Sequence, residues 1–250
     1  MPVLALVVCL AIADDARAQG RGRGGATPAA SARAAAPADF TGYWVSVVTE
    51  YWHLRMTVPP KGEFAMLPLN AEARRIAEAW DPAKEQAGDQ CKGYGAAAIM
   101  RVPGRLHIQW ADDNTLQVDT DAGTQTRLFR FGAAEPRDRA PQWQGSSAAA
   151  WEGLGGRGRG AAGSGQLKVT TTRMRPGYLR KNGVPYSEQA TLEEYFDRFS
   201  EPNGDTWLLV TAIVTDPQYL TQPYVTTMHF KKIPDRSGWD PTPCRANEPR

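Results

Sequence analysis

Few side chains in this sequence are suited to acid–base work. Two of its three histidines stand on the faces of alternating strands, His107 in "RLHIQW" and His229 in "YVTTMHFKK". An imidazole exchanges protons near neutral pH, so His107 and His229, with the carboxylates Asp119 and Glu194, are the candidate catalytic residues. A second set is suited to holding a ligand. Arg127 in "TQTRLFRF" and Arg198 in "LEEYFDRF" set guanidinium groups among aromatic rings, and the loop "MRPGYLRKNGVPYSE" carries Tyr178 and Tyr186 beside Arg175, Arg180 and Lys181. Aromatic and cationic groups of this kind contact amphipathic or anionic molecules, which makes Arg127, Tyr178, Tyr186 and Arg198 the ligand-binding candidates. No G-x-S-x-G elbow, H-E-x-x-H pair or Cys-x-x-Cys occurs, so neither a metal nor a cofactor is expected.

The elements that must position these residues show mostly a period of two. Strand-like runs cover 42–58, 99–110, 115–121, 124–131, 142–151, 166–174, 189–200, 206–215 and 223–232. Alternation puts Leu106, Ile108 and Trp110 on one face and His107 and Gln109 on the other. It likewise groups Gln117 with Asp119, Arg127 with Phe129 and Phe131, Glu194 with Phe196 and Arg198, and His229 with Val225 and Thr227. Arg127 and Glu194 each have large apolar neighbours on their own face. A charge so placed needs a partner, which an ion pair lining a pocket or a structural pair would supply.

Turn chemistry joins the runs at Asp112-Asp113-Asn114, Asp121-Ala122-Gly123 and Pro202-Asn203-Gly204-Asp205. One helix is expected over "NAEARRIAEAW", with Asn70 as N-cap and Asp81-Pro82 as the stop. Successive strands without βαβ alternation predict a mainly β domain. Its expected form is an antiparallel up-and-down meander of about 8–10 strands closed into a barrel, with one helix in the connection after the first strand.

In "DFTGYW" the Gly42-x-Trp44 spacing at the head of the first strand resembles the N-terminal motif of lipocalins and related calycin barrels, where the Trp packs across the closed end. The series "PLNAEAR", "CKGYG", "RVPGRLHIQW", "GYLRKNGVPYSE", "DPQYLTQP" and "HFKK" is similar to a family of exported bacterial proteins of unknown function. That likeness brings no catalytic residues. It implies that "GLGGRGRGAAGSG" is a peripheral insertion in a hairpin.

The chain opens with "VLALVVCLAIA" and a small-x-small site, Ala16-Arg17-Ala18. Residues 1–18 therefore read as a secretory signal and the location as periplasmic or secreted. Residues 19–37 are rich in Ala, Gly, Arg and Pro and read as a disordered tether; 38–244 form one barrel domain with the Gly/Arg-rich insertion at 153–165. Without the signal, Cys91 and Cys244 are the only cysteines, and export favours a disulfide between them. A net charge of +2 implies no nucleic-acid partner, and no later segment is apolar enough to span a membrane.

The function expected is a small-molecule-binding barrel for an apolar or amphipathic ligand. The alternatives are a cofactor-independent isomerase, lyase or hydrolase using a His/carboxylate pair, and a structural or interaction domain without ligand. Intact-mass analysis of exported material should find a mature chain beginning at Gln19 rather than Met1.

Overall fold

The computed structural model describes residues 30–132, 140–153 and 165–250. The expected signal at 1–18, residues 19–29 and most of the expected Gly/Arg-rich insertion lie outside them. In chain order the elements are β1 (Gly42–Val47), α1 (Trp52–Arg55), α2 (Ala71–Ala79), α3 (Ala96–Ile99), β2 (Arg105–Asp112), β3 (Thr115–Thr120), β4 (Gln125–Phe131), β5 (Ser146–Gly153), β6 (Gly165–Thr172), β7 (Gly177–Arg180), β8 (Val184–Tyr186), β9 (Thr191–Ser200), β10 (Thr206–Thr215) and β11 (Tyr224–Ile233).

Nine strands close into a barrel in the order β1-β11-β10-β9-β6-β5-β4-β3-β2, and β7 pairs with β8 as a separate hairpin. One pair departs from the meander, since β4 and β5 run parallel, with Phe129 opposite Ser147. Alternation follows the sequence pattern. Along β10, Leu208, Val210, Ala212 and Val214 point inward and are buried. With Ile108, Leu116, Phe129, Leu167, Phe196 and Phe230 they occupy the lumen, which is a packed core.

Two of the expected strands are shorter than their runs of β-type residues. The run 42–58 stops at Val47; Tyr51 turns the chain in a left-handed conformation (φ 50°) and α1 follows. The run 99–110 begins only at Arg105, because the alanine-rich "AAAI" is helical as α3 and Pro103-Gly104 separates it from the strand. The helix over residues 71–79 forms, and Asn70 caps it by accepting from the Ala73 amide at 2.9 Å.

Gly42 and Trp44 sit at one end of the barrel. Gly42 has φ 112°, which only glycine adopts easily, and a Cβ there would come within 3.1 Å of the Lys232 stem. Lys232 thereby reaches over the Trp44 indole, Nζ 5.5 Å from its centre, while Trp44 Nε1 donates to the Phe40 carbonyl at 3.0 Å. Phe40 stacks on Trp151, whose Nε1 donates to the Ala32 carbonyl at 2.8 Å. Residues 30–37 thus correct the tether expectation in part: Ala32 is buried, and packed chain begins before residue 38.

At the other end the chain leaves the barrel twice, between β1 and β2 and between β6 and β9. The first excursion brings α3 and Tyr94, both buried; the second brings the β7–β8 hairpin. Cys91 is bridged to Cys244, fastening the first excursion to the C-terminal tail. Closing a loop of that length contributes about 3–5 kcal/mol. Trp44→Ala should cost about 3–5 kcal/mol through the cavity left in a packed end, measured as a shift in the urea-unfolding midpoint.

Candidate functional site

Arg127 and Glu194 meet across the lumen. Arg127 Nη1 donates to Glu194 Oε1 at 2.9 Å and Nη2 to Oε2 at 2.5 Å. Nη2 also lies 3.3 Å from the Thr171 hydroxyl, which contacts Ser147 Oγ at 2.8 Å. Both members of the pair are buried, and the guanidinium carbon lies 4.9 Å from the Phe129 ring centre. A fork in which both carboxylate oxygens are occupied leaves no free base. Glu194 and Arg127 thus find their partners in each other, in the buried ion pair that their apolar neighbours call for.

The remaining candidates are dispersed. His107 and Asp119 are opposite one another on the outer face of β2 and β3, Nδ1 3.9 Å from Oδ2. His107 stacks on Tyr43 at 4.2 Å, and Asp119 accepts from the Thr126 hydroxyl at 2.6 Å and from Gln117. They border an open surface groove with Trp239 and Arg236. Arg198 lies toward the Trp44 end of β9, opposite Leu208 and so level with Phe230, one residue along the ladder from His229 but on the other face of the sheet.

The loop expected over a mouth is docked. Tyr186 is buried, and burial pushes its phenol well above the usual range. Tyr178 donates to Glu85, and Gly183 (φ 80°) leaves room for the Trp80 ring, which a Cβ would strike. Ser187 is bonded through its amide and hydroxyl to buried Asp216. Tyr178 and Tyr186 thus hold the hairpin down and do not face a ligand space in the lumen.

His229 occupies a different setting. Strand β1 pairs with β11 only from Tyr43–Ile233 to Val47–His229, whereas β10 pairs with β11 as far as Tyr224. Beside the unmatched part of β11 lies a cavity of about 320 Å³ lined by Glu50, Tyr51, Arg55, Met66, Arg101, Arg180, Tyr224 and His229 among others. Three separate segments supply its arginines. Arg55 comes from α1 and donates through Nε to the Arg101 carbonyl at 3.0 Å; Arg101 follows α3 and donates to the Tyr224 hydroxyl; Arg180 ends β7 and donates to the Ala65 carbonyl at 2.7 Å.

All three guanidinium groups are buried, yet Arg55 Nη2 and Arg180 Nε and Nη1 have no hydrogen-bond partner. Glu50, 3.5 Å from Arg55, is the one carboxylate among the lining residues. Burial, reinforced by the charge of Arg101, pushes Arg55 down to about 10; burial and the charge of Arg180 lower Arg101. His229 Nδ1 is 3.4 Å from Glu50 Oε2 but outside hydrogen-bond geometry, and it too is buried without a partner.

The rim is apolar and strained. Tyr51, Met66 and Val225 are 42%, 67% and 57% exposed. Tyr51 (φ 50°) and Met66 (φ 66°) are two of the four non-glycine residues with positive φ among those described. A left-handed residue costs about 1–2 kcal/mol, and such outliers gather where a surface is shaped for use.

Of these residues His229 is legible in the sequence as a candidate, and Arg180 as a cationic group of the loop "MRPGYLRKNGVPYSE". Arg101, between "AAAIM" and "VPG", carries the same signal that picks out Arg127, a charge with apolar neighbours. Arg55 and Glu50 carry none, because they lie in a run that reads as strand. Among the described residues no three His, Cys, Asp or Glu side chains are grouped to hold a metal, and no helix is long and apolar enough to cross a membrane. No protein-family model matches the chain, and no curated protein matches it either.

Lys181 stands behind the three arginines, its Nζ 3.7 Å from the Tyr94 ring centre and bonded to the Glu248 carbonyl at 2.8 Å. Burial pushes its amine from 10.5 down to about 7. Between those values the unfolded chain holds a proton that the folded chain has released, so stability rises with pH across the window and is flat below it. Urea unfolding from pH 6.5 to 9.5 should show that rise in the native protein and a smaller one in Lys181→Met.

Proposed function

We propose that the protein binds a small amphipathic anion, not inside the barrel but in the lateral pocket where β1 stops short of the end of β11. The observation that carries this reading is the convergence of buried Arg55, Arg101 and Arg180 on one cavity with a single carboxylate. Buried guanidinium nitrogens left without acceptors, Arg55 Nη2 and Arg180 Nε and Nη1, are costly, and an acidic group supplied by a ligand offsets that cost. The exposed side chains of Tyr51, Met66 and Val225 receive the apolar part. A cavity of about 320 Å³ falls within the range of small-molecule sites.

The signal-like N-terminus and the Cys91–Cys244 bridge support a role outside the cytoplasm. A cofactor-independent enzyme is the second reading, favoured by one observation: His229 and Glu50, a base and a carboxylate, share this pocket.

Titration with anilinonaphthalene sulfonate, an aromatic anion, should give saturable fluorescence. Arg180→Met removes the equivalent of one or more charge-assisted hydrogen bonds and should raise Kd by about tenfold or more. Tyr178→Phe should leave Kd unchanged. A probe that binds equally well to Arg180→Met, or that is lost in Tyr178→Phe, places the site elsewhere.

A further inference from the structure

The charges around the pocket also bear on the ligand's head group, on the premise that the pocket binds an anion as proposed above. Arg55, Arg101 and Arg180 bring three positive charges and Glu50 one negative, and no other Asp, Glu, Lys or Arg lines the cavity. A singly charged head group would leave buried positive charge uncompensated, whereas a doubly charged one balances it. Shape points the same way. A carboxylate is planar and presents two oxygens, enough for one guanidinium fork and a second contact at its side. Here the guanidinium groups arrive from α1, from the end of α3 and from β7, three segments far apart in sequence. Three non-bridging oxygens set tetrahedrally suit that arrangement, and a phosphate monoester carries them with close to two charges near neutral pH.

The rest of the ligand is defined by the rim. Tyr51, Met66, Val225 and Met228 are apolar or aromatic, and Thr226 and Thr227 are the small polar residues beside them. An open groove of about 840 Å³ continues outward from the shared residues Met66, Tyr224 and Val225, past Phe64, Pro68 and Pro223.

We propose that the pocket selects phosphate monoesters of apolar or aromatic alcohols, with the phosphoryl group between Arg55, Arg101 and Arg180 and the organic group against Tyr51 and Met66. Phenyl phosphate and phenyl sulfate test this directly, because their tetrahedral heads are alike and differ by one charge. In isothermal titration at about pH 8, phenyl phosphate should bind at least about tenfold more tightly than phenyl sulfate or benzoate. Glu50→Gln removes the one opposing carboxylate and should tighten phenyl phosphate further, a gain that a misfolded variant cannot imitate. Equal binding of phenyl phosphate and phenyl sulfate, or weaker binding in Glu50→Gln, overturns the inference. If anilinonaphthalene sulfonate still responds to Arg180→Met in that case, the anion pocket stands and only the doubly charged head group falls. If no anion binds, both fall.

Discussion

Strand β11 runs for ten residues, and β1 can pair with only half of it. Everything distinctive about the candidate site follows from that mismatch. A barrel avoids exposed edges by closing, but closure here is incomplete beyond Val47, where β11 continues toward Tyr224 with β10 alone beside it. The chain answers with a long excursion. It turns at Tyr51, forms α1, and returns along residues 64–69, where Leu69 bridges to Leu220 and Thr221 donates its amide to the Pro68 carbonyl. The gap is thereby roofed but not filled. The cavity that remains is walled on one side by the sheet and on the others by segments outside the barrel, among them the end of β7.

Two arginine environments in the same molecule show what filling would look like. Arg127 lies in the lumen with both oxygens of Glu194, a threonine hydroxyl and an aromatic face, so its charge is matched and its geometry set. Removing one partner of such a pair costs about 3–5 kcal/mol, while the intact pair adds little beyond an apolar core. With the apolar residues around it, the pair forms part of the packed barrel interior. Arg55, Arg101 and Arg180 are comparably buried but share one carboxylate and several carbonyls. Carbonyl oxygens satisfy individual N–H groups without cancelling charge. The positive potential therefore persists in the pocket, where an anion is its natural complement.

The second excursion makes this imbalance sustainable. The β7–β8 hairpin is held by Tyr178 on Glu85, by Ser187 on Asp216 and by Trp80 seated on Gly183. Asn182 donates to the carbonyls of Pro60 and Glu63, tying the hairpin to the returning first excursion. Arg180 is consequently fixed in place by its backbone rather than by a counter-charge. The Cys91–Cys244 bridge holds the segment that leads into α3, and thus Arg101, against the tail. Rigid support of this kind keeps donors preorganised, so that ligand binding need not order them.

The barrel itself was legible from the sequence, because each strand's inward and outward residues alternate and the turns joining β2 to β3, β3 to β4 and β9 to β10 are short. The strand "TWLLVTAIVT" and the Asn70 cap follow from local chemistry alone. The disulfide was legible from the cysteine count and the expectation of export. The sequence also marked Arg127 and Glu194 as charges that needed partners, but whether they would find each other depended on β4 and β9, strands three places apart in the barrel order. The lateral pocket lay beyond local pattern altogether. Its residues come from positions 50, 55, 101, 180, 224 and 229, brought together by the length of β1 and by two excursions that emerge at the same end. Periodicity reports which side of a strand a residue occupies; it carries no information on where a strand stops pairing, and it was that endpoint, a property of the closed sheet, that decided where three arginines would meet.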